Sequence, residues 1–277
     1  MIFEYDGFKI QKTLYNETFE VIYSMIEVDG LLITGHSKGL IMIWDYELGE
    51  RVVKAECIVK DPVTSIVYLK HILMLWVSLM NGDMLLLKIN TESFQLELIN
   101  QAKISEPGKK IYSLTRLGDG RVCVSQDKGF SVWQLIDDQR LVPHSPRCFL
   151  EEHTVSQVLE YDVNQVIAST MSCIYFMVNL KLGTVIREIK GQGKYSIDLI
   201  RVPYYEHLGA KNIYCGVEND AYVLVDFENE QTLCLQQDRG ENQSPWYTGA
   251  FFLRTRPECM VVAEEKKRAI RSFVVNV

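Results

Sequence analysis

Gly35-His36-Ser37-Lys38-Gly39-Leu40-Ile41-Met42-Ile43-Trp44-Asp45 is the stretch on which the fold turns. Small residues close one strand at Thr34-Gly35, a polar turn runs to Gly39, and an apolar strand then ends in Trp-Asp. Upstream, residues 31–34 form the strand that leads into this turn. They follow Asp29-Gly30, a dipeptide suited to tight hairpins. Residues 21–26 before it are rich in β-formers. Downstream, Leu48-Gly49-Glu50 turns the chain into a fourth strand at 51–59. The unit therefore reads as a four-stranded antiparallel meander.

The same order of events recurs at a period of about 45 residues, the spacing of a repeat architecture. A second unit has strands at 63–69, 72–79, 84–89 and 94–99, with the turn Asn81-Gly82. A third has strands at 111–116, 121–125 and 130–135, with the turns Gly118-Asp119-Gly120 and Asp127-Lys128-Gly129. A fourth has strands at 155–161, 166–170, 173–178 and 185–189. A fifth has strands at 196–202, 213–217, 222–227 and 232–236, with the turn Asn219-Asp220. The last unit offers 246–253, 260–263 and 270–275 but no fourth strand. A spare strand at 8–14 is expected to pair with it and close a ring, which removes an exposed sheet edge. Stretches 136–152 and 237–245 are too poor in apolar residues to supply a seventh unit.

Two competing readings are set aside. Residues 63–80 are apolar and nearly long enough to span a bilayer, but Lys70-His71 at their centre would be costly there. Two strands joined at that pair explain the stretch better. Glu264-Glu265-Lys266-Lys267 suits a helix surface over 258–273, whereas the repeat register puts these charges in a turn between strands.

The quoted stretch resembles a WD40 repeat. Val124-Ser125-Gln126-Asp127-Lys128-Gly129-Phe130-Ser131-Val132-Trp133-Gln134 is similar, with Gln134 in place of the acid. Val225-Asp226 keeps the acid without the tryptophan. The Gly-His that opens a standard repeat precedes its first strand, so Gly35-His36, after the second, is not that element. His153-Thr154 is the nearest counterpart of the family's structural histidine, in a unit that lacks Trp-Asp. Small residues at Thr34-Gly35, Val77-Ser78, Ala168-Ser169 and Cys215-Gly216 are expected to let neighbouring units approach. The resemblance implies an all-β fold: one β-propeller domain over residues 1–277, with about six four-stranded WD40-like blades rather than seven.

Composition narrows the function. Apolar residues make up 47% of the chain and charged residues 23%, with a net charge of −7. That balance opposes general nucleic-acid affinity, which needs a strongly basic face. The seven cysteines are dispersed without a Cys-x-x-Cys pair. They read as free thiols in a reducing compartment. Residues 1–6 are acidic where a signal peptide is basic and then apolar. The expected location is cytoplasmic, with no transmembrane segment.

Chemistry is sparse. Gly191-Gln192-Gly193-Lys194 echoes a phosphate loop but lacks its spacing and its Ser/Thr, and reads as a plain turn. Gly-x-Ser-x-Gly is absent, and no two histidines have metal-pair spacing. Glu151-Glu152-His153 reads as a charged entry to a strand. No catalytic group, metal or cofactor is implied.

The functional expectation is a non-catalytic scaffold that binds a protein or peptide, either free-standing or as part of a larger complex. In WD40-like propellers the loops between blades share one face with the turns between second and third strands. Here that face would carry His36, Lys38, Asn81, Asp127, Lys128, Trp246 and Lys266. Trp246 is equally readable as an interface anchor or as a core residue of the next strand. Tyr204-Tyr205-Glu206-His207 is a second aromatic candidate on the opposite face. The alternatives are an enzyme or small-molecule binder using the central channel, and a membrane-trafficking coat subunit.

Overall fold

The computed structural model describes residues 2–4, 9–12, 21–28, 31–45, 50–55, 61–90, 95–104, 109–193, 195–201, 213–218, 221–237, 247–252, 259–264 and 269–274. These are almost wholly strand. β1 (Ile2–Glu4) and β2 (Lys9–Lys12) form an antiparallel pair. Five four-stranded meanders follow among the described residues. The first is β3 (Ile22–Val28), β4 (Leu31–His36), β5 (Ile41–Asp45) and β6 (Glu50–Ala55). The second is β7 (Val63–Leu69), β8 (Met74–Leu79), β9 (Asp83–Ile89) and β10 (Leu96–Lys103). The third is β11 (Ile111–Arg116), β12 (Val122–Gln126), β13 (Phe130–Ile136) and β14 (Arg140–Phe149). The fourth is β15 (Val155–Asp162), β16 (Gln165–Thr170), β17 (Ile174–Asn179) and β18 (Thr184–Lys190). The fifth is β19 (Ser196–Arg201), β20 (Ile213–Glu218), β21 (Ala221–Asp226) and β22 (Gln231–Gln237). A three-stranded sheet of β23 (Tyr247–Phe252), β24 (Cys259–Glu264) and β25 (Ala269–Val274) ends the series.

One expectation is not met among the described pairings, and one is corrected. The N-terminal strand pairs with β1, and the described part of the last sheet has three strands, so the expected ring-closing pairing is not among the described pairings. The stretch 136–152, passed over as too polar, contains β14, the missing fourth strand of the third unit. β14 lies at the sheet edge and exposes half of its side chains. Such a strand needs few apolar residues, and an edge tolerates Pro143 and Pro146 because one side of its backbone has no ladder to feed. The helical alternative near the C-terminus is displaced by the antiparallel pair β24–β25. Residues 63–80 are the pair β7–β8, joined by a 3-10 turn at Lys70–Ile72. No described helix is long and apolar enough to cross a membrane.

The chain divides into two compact units: Met1–Arg116 with Gly120–Val124 and Val132–Pro146, and Leu117–Asp119 with Ser125–Ser131 and Arg147–Val277. In the first unit, Leu75, Val77, Leu85 and Leu87 of the second sheet pack with Ile33, Ile41 and Ile43 of the first. Their alternates Trp76, Met84 and Leu86 pack with Ile111, Val122, Val124 and Trp133. Both faces of β8 and β9 are therefore buried. Such strands read as continuous apolar runs rather than alternating ones, which is why 63–80 mimics a membrane span. The core of the second unit joins Ile167, Tyr175, Met177 and Ile189 to Leu199, Tyr214, Val225 and Phe227.

The small residues act as anticipated at two places. A Cβ on Gly35 would run into Val63 of the next sheet, and one on Gly216 would run into the Tyr175 hydroxyl. Glycine at these points sets how closely adjacent sheets approach.

Candidate functional site

In an antiparallel meander the second-to-third-strand turn lies at the same end as the segments that enter and leave the sheet. The last residue of the second strand stands just before that turn. In the five four-stranded sheets it is His36, Leu79, Gln126, Thr170 or Glu218, and every one is buried. Four of the five are polar. Burying a polar group is costly unless it is hydrogen-bonded; Gln126 Nε2, Thr170 and Glu218 meet that need by bonding turn or loop groups and His36 by bonding Thr34, while Gln126 Oε1 is buried without a partner.

In the first unit, the Thr34 hydroxyl bridges two partners. The Trp44 indole N–H donates to its Oγ1 at 2.9 Å, and His36 Nε2 lies 2.8 Å from the same oxygen. The adjoining turn is tied to the start of the sheet: Ser37 N–H donates to the Val21 carbonyl at 2.9 Å, and Val21 N–H to Ser37 Oγ at 3.3 Å. Gly39 takes φ 79°, which glycine adopts without steric cost. Lys38 is left exposed at the apex.

The next turn uses Asn81. Its Oδ1 accepts from Asp83 N–H at 3.0 Å, and its Nδ2 donates to Asp83 and Asp61 carboxylates, each at 2.8 Å. Met80 N–H donates to the Pro62 carbonyl at 2.9 Å, and Ile104 N–H to that of Gly82 at 3.1 Å. The entering and leaving segments are thus stitched to the turn between them.

In the second unit, Gln126 Nε2 donates to the Lys128 carbonyl at 3.3 Å and to Cys148 Sγ at 3.2 Å. Gly129 N–H donates to the His153 carbonyl at 2.6 Å, and Thr154 Oγ1 to the Asp127 carbonyl at 2.9 Å. The Lys128 side chain is exposed. Thr170 Oγ1 donates to the Ile174 carbonyl at 2.9 Å and accepts from Ile174 N–H at 3.1 Å. His153 rests against the Phe176 ring, with centroids 4.9 Å apart.

Glu218 is the densest of these anchors. Its carboxylate is fully buried. Oε1 accepts from the Tyr175 hydroxyl at 2.9 Å, and the two oxygens accept from Gln192 N–H at 3.2 and 3.1 Å. Gly193 N–H donates to Oε2 as well. The loop that echoes a phosphate cradle therefore does hold an anion, but the anion is this chain's own carboxylate. Successive backbone N–H groups make such a concavity. A Cβ at Gly191 would strike Glu218 Oε1, so glycine keeps that approach open. Burial holds the Tyr175 hydroxyl well above its ordinary value of 10.0, and the Glu218 charge adds to the rise. Tyr175 stays neutral and donates.

The sequence candidates are placed as follows. Lys38 and Lys128 are exposed turn apices, while Asn81 and Asp127 are half-buried and bonded into their turns. His36 has no exposed surface, because its ring serves the Thr34–Trp44 chain. Trp246, Lys266 and Tyr204 to His207 lie outside the described residues. Thr170 and Glu218 were not singled out from sequence. Their signal is positional: both directly precede the turn after a second strand. Among the described residues, no group of three or more His, Cys, Asp or Glu side chains is placed to hold a metal ion.

No family model and no curated protein matches this sequence. Solved structures do. A chain of a crystal structure of the Mitotic Checkpoint Complex superposes with TM-score 0.71 at 11% identity, covering 95% of this chain and 77% of that one. The β-propeller domain of Cps50 (Swd1) from Myceliophteria thermophila gives TM-score 0.69 at 11% identity, over 93% and 85%. The fold is a WD40-like β-propeller. The computationally designed Ika8 protein is similar over 91% of this chain and 70% of its own, with TM-score 0.62 at 15% identity. The WD40-like propeller assignment also accounts for Trp133. Gln126 N–H bonds Gly129 O across a two-residue loop, whereas His36 N–H bonds Leu40 O across three. The shorter turn offsets the one-residue difference in spacing, so Trp133 and Trp44 stand at corresponding places.

Proposed function

We propose that this propeller is a non-catalytic, cytoplasmic platform that binds protein or peptide partners within a larger complex. Contact would be made through the end of the sheets that carries the second-to-third-strand turns. One observation carries the reading. At this end, turn after turn is braced by a buried residue beneath it and by hydrogen bonds to the entering or leaving segment. A turn so held presents its apex with little entropy left to lose, the condition for binding at low ordering cost. The candidate contacts are Lys38, Asn81, Asp127 and Lys128, together with Trp246 and Lys266; His36 is a positioning residue beneath Lys38. Protein partners are favoured over nucleic acid by the net charge of −7. That one of the similar structures belongs to a multi-protein complex supports the same reading.

The test is affinity capture from the source cell, comparing the intact chain with a Lys38→Glu, Trp246→Ala double variant. The reading expects the main partners to be lost or strongly depleted from the variant. Recovery of the same partners at the same yield would overturn the choice of this end.

A further inference from the structure

Asn81-Gly82 is the one Asn-Gly dipeptide in the chain, and the fold demands both residues. Gly82 takes φ 89°, a conformation that glycine adopts without steric cost. A Cβ there would also lie 2.6 Å from the Lys109 carbonyl oxygen, so no side chain fits. Asn81 is demanded by its bonds. It accepts through Oδ1 from Asp83 N–H and donates through Nδ2 to the carboxylates of Asp61 and Asp83. No other residue type of this length does both. The turn thus fixes the dipeptide in which an asparagine side chain is most open to its neighbour's nitrogen, because glycine has no side chain to shield that nitrogen.

The chemistry open to such a pair is deamidation. The Gly82 nitrogen gives up its proton to a base in water and attacks Asn81 Cγ, closing a cyclic imide. The Cγ–Nδ2 bond breaks, and the nitrogen takes a proton from solvent and leaves as ammonia. Water then opens the imide on either side, leaving aspartate or isoaspartate at position 81. One water is consumed, one ammonia is released, and nothing is oxidised or reduced. The native turn opposes each step. Gly82 N–H donates to the Leu79 carbonyl at 3.1 Å, which shields its proton from base. The Asn81 amide is clamped at both its oxygen and its nitrogen, so Cγ is held from swinging onto the Gly82 nitrogen. The partners of Nδ2 are carboxylates, which when ionised accept hydrogen bonds but have no proton to give a departing amine.

We infer that Asn81 is a modification site built into the fold: a guarded deamidation site that converts when the turn opens, and whose conversion then unmakes the turn irreversibly. Asn81 is half-buried, and local opening of a turn exposes its backbone to water. The product puts a carboxylate where Nδ2 stood. Two donated hydrogen bonds are lost, and a third negative charge meets those of Asp61 and Asp83. The Lys103 ammonium, 3.6 Å from Asp83 Oδ1 and itself largely exposed, offsets only part of that repulsion. Isoaspartate adds a carbon to the backbone of the turn as well. The bonds from Met80 N–H to the Pro62 carbonyl and from Ile104 N–H to the Gly82 carbonyl, which join the turn to its flanking segments, then lose their anchor. None of this depends on what the platform end binds.

The test follows the full chain by peptide mapping and mass spectrometry during incubation at mildly alkaline pH, folded and in urea. Asn81 should convert in urea, and about tenfold or more slower in the folded chain, the factor carried by one hydrogen bond to a charged group. Asp61→Ala removes one acceptor of Nδ2 and should speed conversion severalfold in the folded state, with no change in urea. Asn81→Asp makes the product directly. Its Asp83 and Ile104 amides should exchange hydrogen about tenfold or more faster than in the native chain, while the Tyr175 amide keeps its rate. Thermal unfolding checks that the variants fold, and Asp61→Asn, which removes only the charge, serves in place of Asp61→Ala if that variant does not. Equal conversion in the folded and unfolded chain, no conversion in urea, an unchanged folded-state rate in the Asp61 variant, or unchanged exchange in Asn81→Asp would each overturn the inference.

Discussion

Replacing Glu218 by glutamine tests whether a buried carboxylate holds the 191–193 loop. The substitution keeps the shape and removes the charge. In the native chain both oxygens accept, from Tyr175 O–H on one side and from the Gln192 and Gly193 N–H groups on the other. Glutamine offers one accepting oxygen and one donating nitrogen. If its oxygen serves Tyr175, the buried amide nitrogen faces backbone donors and is itself left without an acceptor, and the part-buried Gln192 and Gly193 N–H groups lose theirs. An orphaned buried donor costs about 1–3 kcal/mol, and a hydrogen bond to a charged group contributes about 1.5–3 kcal/mol. Relief from burying a charge offsets part of this. The net destabilisation is expected at about 2–3 kcal/mol, and most of it should fall on the loop. Hydrogen exchange followed residue by residue is the assay. At about 1.4 kcal/mol per tenfold, the Gln192 and Gly193 amides should exchange about thirtyfold faster or more, while the Ile33 and Val77 amides keep their rates. Gly191→Ala drives a methyl against the same carboxylate. It should reproduce the effect and combine non-additively with Glu218→Gln, as contacting residues do. Exchange at Gln192 and Gly193 that changes less than about threefold would refute the reasoning, since a lost charge-assisted hydrogen bond cannot come to so little.

Other consequences can be checked together. Tyr175 titrates above its ordinary 10.0 when folded. Its contribution to stability is therefore full below that value and is lost as pH rises from it toward the higher folded value. Tyr175→Phe should be less stable than the native chain near neutrality and should lose less stability between pH 9 and 11, read by denaturant unfolding. Asp226 behaves in the opposite sense. Partial burial pushes its carboxyl up, but hydrogen bonds from Asn229, Glu228 and Gln231 outweigh this and hold it below 3.8. Its contribution is present above that value and lost as pH falls through the lower folded one. Asp226→Ala should thus cost stability at pH 7 and little at pH 2. Thr34→Val removes the hydroxyl between Trp44 and His36 and strands two buried groups, so about 1–3 kcal/mol of destabilisation is expected, with a changed Trp44 fluorescence. Gly35→Ala meets Val63 and should cost about 1–3 kcal/mol by overpacking, recovered in part by Val63→Ala.

The sequence was most legible where one signal had one cause. Asn81-Gly82 and the stretch from Gly35 to Gly39 mark real turns, because glycine there takes a left-handed φ of 89° and 79°. The strands 63–69 and 111–116 fall where their β-formers end. The apolar runs of β8 and β9 declared strands buried on both faces. β14 was missed because an exposed edge strand needs no apolar pattern, and two prolines made it read as loop. Cys173 takes φ 55° in a turn without glycine, so nothing in its type announced the turn.

For the site, the split follows distance along the chain. The residues at 34–45 identify a WD40-like repeat, and repetition of that unit implies the propeller; both follow from periodicity and turn chemistry, which are local. That His36 is a buried strut while Lys38 two residues on is an exposed apex depends on Thr34 and Trp44 converging across strands. That Gly191 to Gly193 cradle an internal carboxylate depends on Glu218, which lies in the next sheet. Polar residues at such places look alike in sequence. Only tertiary packing removes some of them from water and leaves others in it, and that decides which brace the turns from beneath and which stand exposed at their apices.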